Sequence, residues 1–254
     1  MAQRRDMPLH VPSFFIRSKD DGATHSEAGH IPGGRAVRDL VFGANDGLVA
    51  AFAVVSGVHG AAVSTRIVLL AGAAELIGGT LAMGLGAFLA SKSEREYVLS
   101  ERAREEYEVR HFPDEEKREV RAIYEGKGFK GDALEAILRQ VTGDPKFWVD
   151  TMMSEELGLG TAPSGSPVRS GVVTGLSYAL GAAFPVLPYA LPVAVSSAFA
   201  ASIALTLGAL FAAGATKTLL TGRPWLRSGI ESTLIGALAA GATFLAGRFI
   251  AAAT

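Results

Sequence analysis

The chain has 254 residues, 24 basic and 25 acidic, for a formal net charge of −1, and no basic stripe interleaved with aromatics, which excludes a nucleic-acid partner. Only 19% of residues are charged and 49% are hydrophobic; 17 of the 25 acids fall between Ser91 and Pro167, while Ser170–Thr216 carries no charge of either sign. That segregation excludes a single water-soluble core and predicts an all-α membrane protein with a polar insertion.

Residues 1–34 are polar, with scattered Gly, Ser, His and Pro, and lack the apolar stretch and small-residue cleavage site of a signal peptide; they read as a flexible cytosolic tail. A hydrocarbon core about 30 Å thick needs roughly 20 apolar residues as helix. Leu40–Ala61 supplies one span, with Asp46 as its formal charge, and Ile67–Ala90 a second, with Glu75. The uncharged block after Ser170 is too long for one span. Pro185, Pro188 and Pro192 divide it into spans near 170–187 and 190–214 joined by a tight turn. Gly229–Ala252 makes the fifth. Transmembrane helices 1 and 2 thus occupy 35–90, the polar module 91–167, and helices 3 to 5 168–254.

Basic residues predict the orientation. The tail up to Arg38 holds six Lys/Arg and the module twelve, and the last connection has Lys217, Arg223 and Arg227. The first connection has only Arg66, and the Pro-rich one has none. The positive-inside rule then puts the N-terminus, the module and the last connection in the cytosol, and the C-terminus outside.

Within the module, Glu94–Arg110 reads as a charged helix continuing from span two, and His111–Asp114 as a turn in which Asp114 caps a second helix, Glu115–Gly126. GKGFKG breaks that helix, a third follows over Asp132–Val141, and Asp144-Pro145 starts a fourth through about Leu157.

Asp46 and Glu75 are the leading functional candidates, since an ionisable group within a span costs at least ~2.5–3.5 kcal/mol on insertion scales. At 1.5 Å per residue, Asp46 lies ~9 Å in from the cytosolic start of span one; Glu75 lies ~12 Å in from the outer start of span two, and Met83 ~12 Å deeper. The three line one route. Two carboxylates and a thioether suit a borderline divalent ion such as Fe²⁺, whereas Mg²⁺ or Ca²⁺ would not recruit sulfur. A membrane Met is, however, more often plain packing. Gly78, Ala82, Gly86 and Ala90 form a small-residue face on span two, with Gly43, Gly47 and Ala51 its counterpart on span one, predicting close helix approach. One protomer offers few ligands, so a site shared across a dimer axis follows as an expectation.

In the module, Glu105 and Glu108 are three apart on one helix and Glu116 and Glu119 three apart on the next, so a hairpin folds the pairs together. Met152 and Glu156 on the last helix complete a carboxylate-thioether cluster. From spacing alone, a solvated charged surface with i,i+4 ion pairs describes these helices better than a metal site. The five histidines show no HxxxH or HExxH spacing, and the absence of cysteine leaves no thiolate ligand.

The runs RDLVFGANDGLVAAFAVVSGVHGA (38–61) and ELIGGTLAMGLGAFLASKSEREY (75–97), with the Glu-rich hairpin, resemble the vacuolar iron transporter family, metal/proton antiporters of yeast and plants with many bacterial relatives. The similarity covers roughly 35–254. It implies a homodimer of five-span protomers moving Fe²⁺, or Mn²⁺, Co²⁺ or Zn²⁺, out of the cytosol against protons. The family's membrane ligands fall on Asp46, Glu75 and Met83, and its cytosolic ligands on Glu105, Glu108, Glu116, Glu119, Met152 and Glu156. That correspondence reverses the preference for a solvated surface.

No tightly bound cofactor is expected, the metal being substrate, and no nucleophile-base pair or cofactor fingerprint points to an enzyme. Two alternatives stay open: a membrane-anchored iron sensor or storage protein without transport, and an exporter of another substrate in which Asp46 and Glu75 only relay protons. Ala- and Gly-rich composition without targeting features leans toward a bacterial plasma membrane.

Overall fold

A computed structural model describes residues 34–61, 64–160, 165–218 and 224–253; the expectations for the N-terminal tail lie outside them. The described residues are mostly helical, with no strand among them. In chain order the helices are α1 (Gly34–Gly60), α2 (Thr65–His111), α3 (Pro113–Gly126), α4 (Gly131–Thr142), α5 (Pro145–Glu155), α6 (Pro167–Val186), a 3-10 turn (Leu187–Ala190), α7 (Val195–Thr216) and α8 (Trp225–Ala253). Five of them, α1, α2, α6, α7 and α8, are long and apolar enough to cross a membrane. The chain divides into two compact units: residues 1–85 with 172–254, and residues 86–171.

In the first unit α1 packs against α8 and α7, and α7 against α8. The approach is backbone to backbone. A Cβ on Gly43 would stand 2.5 Å from the Thr174 carbonyl oxygen, and one on Gly181 2.1 Å from that of Ala44, so α1 and α6 touch without intervening side chains. The same holds for α1 and α8, where a Cβ on Gly247 would come within 1.9 Å of the Gly57 carbonyl oxygen. Lipid tails are as apolar as leucine, so helices in a bilayer gain by close van der Waals approach rather than by expelling water. Large apolar side chains point outward instead: Leu81 and Leu85 on α2 and Leu238 and Phe249 on α8 are exposed. Pro185 sits inside the last turn of α6, and the Ser202 hydroxyl donates to its carbonyl at 2.8 Å.

The expected small-residue face of α2 is open within one protomer: a Cβ on Gly78 or Gly86 would meet nothing within 4 Å. Other positions of α2 make the close contacts. A Cβ on Gly79 would collide with the Tyr178 ring, and one on Gly175 would reach Gly84 at 3.2 Å.

The second unit is built as water-soluble helices are, around a side-chain core. Val109, Val120, Leu134, Leu138, Val141, Trp148, Val149, Met152 and Met153 form one buried cluster. Ion pairs tie its helices at the surface: Arg102 to Asp150 at 2.7 Å, Arg121 to Glu135 at 2.8 Å, and Lys127 to Glu155. The GKGFKG break is made by Gly128 and Gly131, both at positive φ (94° and 57°), a region that side chains rarely adopt.

Two local expectations are corrected. Asp114 does not cap α3: Phe112 holds the N-cap position without a side-chain cap, Pro113 takes the first helical position, and Asp114 lies in the first turn. Proline's fixed φ and missing N–H favour that first position. The last module helix stops at Glu155, so Glu156 is its C-cap, with its N–H bonded to the Met152 carbonyl at 3.0 Å. Asp144 does cap α5, its carboxylate accepting from the Lys146 N–H at 2.9 Å.

Candidate metal sites in the two units

In the first unit, Asp46 comes from the middle of α1 and Glu75 from α2, both half-buried and close enough for their charges to repel. Between them stands a residue that the sequence reading missed. Tyr178 of α6 is 2% exposed, and its hydroxyl donates to Glu75 Oε1 at 2.5 Å while lying within electrostatic reach of Asp46. Two glycines seat it. A Cβ on Gly47, next to Asp46, would come 2.2 Å from the Tyr178 carbonyl oxygen, and one on Gly79, one turn after Glu75, would lie 2.3 Å from the Tyr178 hydroxyl. Gly47 thus makes room for the Tyr178 backbone and Gly79 for its phenol, which donates to Glu75. The available signal was that the uncharged stretch holds only two tyrosines, Tyr178 and Tyr189, since a tyrosine buried among apolar helices needs a partner for its O–H. Met83, partly buried, packs against the apolar cluster of this unit that includes Tyr178.

In the second unit, the surface reading fits part of the charge. Arg102 pairs with Glu106 and Arg104 with Glu108, each i,i+4 at 3.2 Å, and Lys92 with Glu96 at 3.6 Å. Glu105 and Glu116 do not follow it. They are 3% and 4% exposed, and the Oε2 of each is buried without a hydrogen-bond partner. Their position on the helix explains the burial: Glu105 lies four residues before Val109 and Glu116 four before Val120, and both valines belong to the core. The two acids thus stand on the apolar stripes of α2 and α3.

An unpaired buried carboxylate resists ionisation. Burial, with the neighbouring charges of Glu156 and Glu108, pushes the Glu105 carboxyl up to about 7. Burial, then Glu119 and Glu105, does the same for Glu116, again to about 7. Glu156 is raised too, by burial first and then by Glu119 and Glu108. All five glutamates therefore lie within each other's electrostatic reach, although among the described residues no three acids or histidines are drawn into a ready coordination sphere. Glu119 and Glu156 are exposed, Glu108 is half-buried, and Met152 is fully buried in the core. The chemistry on offer is a hard oxygen cluster whose buried members gain from any cation that replaces their protons.

Residues 37–248 match the VIT family. Over 226 residues, 89% of this chain and 90% of the relative, the sequence is 37% identical to vacuolar iron transporter 1 of Arabidopsis thaliana. It is 36% identical to vacuolar iron transporter 1 of Oryza sativa subsp. japonica over 92% of this chain and 93% of the relative. It is 30% identical to the vacuolar iron transporter of Plasmodium falciparum (isolate 3D7) over 83% and 81%. A match across both units, including the stretches that carry Asp46, Glu75 and the module glutamates, makes this chain a member of the VIT family.

Proposed function

We propose that this protein is a divalent-metal/proton antiporter that moves metal, Fe²⁺ first among them, out of the cytosol. The observation that carries the reading is a pair of carboxylates, Asp46 and Glu75, held together within the spans around one tyrosine, in a chain whose relatives are named vacuolar iron transporters. Placing two acids side by side in lipid is costly, and a cation passing between them offsets that cost. Metal and protons compete for the same oxygens, so protons arriving from one side displace the metal toward it. Glu105, Glu108, Glu116, Glu119 and Glu156, with Met152, form the loading site, and Asp46, Glu75 and Met83 the transfer site. Mn²⁺, Co²⁺ and Zn²⁺ are accepted by the same ligand types.

The working unit is a homodimer. Its support is the open small-residue face of α2 (Gly78, Ala82, Gly86, Ala90), a surface that lets a second backbone approach closely. The N-terminus and the module face the cytosol and the C-terminus lies outside. The host membrane is a bacterial plasma membrane; a vacuolar membrane would put the same face in the cytosol.

The test is anaerobic Fe²⁺ uptake into proteoliposomes with a trapped dye, with and without an acid-inside gradient. Glu75→Gln is expected to abolish gradient-driven uptake, and a quadruple alanine variant of Glu105, Glu108, Glu116 and Glu119 to slow it. Normal transport by Glu75→Gln would overturn the shared-site reading. No uptake by folded wild type, with metal still bound, would make the protein a sensor or store.

A further inference from the structure

Three helix ends meet on one side of the first unit, where α1 begins, α7 ends and α8 begins. Between them lies a cavity of about 350 Å³. Its charged wall comes from three helices: Arg38 of α1, Lys217 at the C-cap of α7, and Glu231 of α8. Its apolar wall includes Val41, Phe42 and Ile235, the last two exposed at 58% and 54%. Trp225 begins α8 at the same end, exposed and with its ring edge against Phe211 at 6.0 Å, the placing of an interfacial anchor.

We propose that this cavity binds an anionic phospholipid, with the phosphate between Arg38 and Lys217 and an acyl chain along Phe42 and Ile235. Charge and depth argue together. Two cations from different helices converge on one cavity at a membrane interface, the arrangement that recognises an anionic headgroup. A free phosphate would use the cations and leave the apolar wall bare. The Arg38 side chain is 73% exposed and stands 3.5 Å from its neighbour Asp39, a loose pairing that leaves the guanidinium within reach of a headgroup. Glu231 opposes the bound phosphate and keeps the site exchangeable, so removing its charge should tighten binding. None of these residues belongs to either metal site.

The experiment is native mass spectrometry of the purified full chain equilibrated with equal amounts of phosphatidylglycerol and phosphatidylcholine. Wild type is expected to retain phosphatidylglycerol selectively. Arg38→Gln with Lys217→Gln should lower that retention about tenfold, and Glu231→Gln should raise it about threefold. Equal retention of both lipids by wild type, or an unchanged preference in either variant, overturns the proposal. Displacement by millimolar inorganic phosphate overturns it as well, because the site would then read phosphate alone.

Discussion

The two units of this chain solve helix packing in opposite ways. In the first, glycines at 43, 47, 181 and 247 bring backbones into contact and the large apolar side chains face outward. In the second, a cluster centred on Trp148, Met152 and Met153 does the packing, and the charges lie mostly on the surface. The solvent explains the difference: water drives apolar side chains together, while lipid does not. Each unit also holds acids where acids are costly, and each handles them differently. Glu75 is hydrogen-bonded by a tyrosine that two glycines seat, with Asp46 within electrostatic reach of both, whereas Glu105 and Glu116 are each left with an unpartnered oxygen. A hydrogen-bonded carboxylate is held in place; an orphaned buried one carries the cost of its burial uncompensated.

The sharpest break of this contrast is predicted in the first unit. Gly47→Leu should force α1 off α6 and prevent a stable fold, seen as loss of a monodisperse species on size exclusion, since even a Cβ there stands 2.2 Å from backbone. Tyr178→Phe keeps the ring and removes the bond to Glu75. A hydrogen bond to a charged group is worth about 1.5–3 kcal/mol, so transport should slow by roughly 10- to 100-fold with the fold intact. Unchanged transport would reduce Tyr178 to packing.

The second unit should answer in the reverse sense. Glu105→Gln with Glu116→Gln should weaken metal binding by calorimetry yet raise the melting temperature of the metal-free protein by about 2–4 °C, because neutral amides replace buried carboxylates. A fall in melting temperature together with unchanged metal affinity would mean that the glutamates serve structure.

Acidity sharpens the same point. Both carboxyls are raised to about 7 from an ordinary 4.5, so the folded state holds protons that the unfolded chain has already lost between those values. The contribution of these two acids to the stability of the metal-free protein is then fullest below about 4.5 and is lost as pH rises toward 7. Metal binding must displace those protons, so metal affinity should climb over the same window and flatten above it, with protons released on binding. A metal affinity flat between pH 5 and 8 would remove both acids from the site.

The smallest effects compare two aspartates within the module. Asp144→Ala should cost about 1 kcal/mol, as loss of an N-cap does. Asp114→Ala should cost a few tenths, its contribution being only the charge near the start of α3. Equal losses in chemical denaturation would mean that Asp114 caps after all.

The five apolar helices long enough to span, the GKGFKG break, the Asp144-Pro145 helix start and the presence of acids within those apolar helices were all legible from the chain. Each depends on length, local backbone preference or the cost of a charge in hydrocarbon, and none needs a distant partner. Tertiary structure decided which positions of α2 meet their own protomer, placing Gly79 and Gly84 in contact and leaving Gly78 and Gly86 open. It also decided that Tyr178, 103 residues from Glu75 in sequence, supplies that carboxylate's hydrogen bond. Among the Glu-rich helices it separated Glu105 and Glu116 from their surface neighbours. Spacing alone describes all those glutamates alike; burial against Val109 and Val120 sets two of them apart, and burial is a property of the packed helices rather than of any one of them.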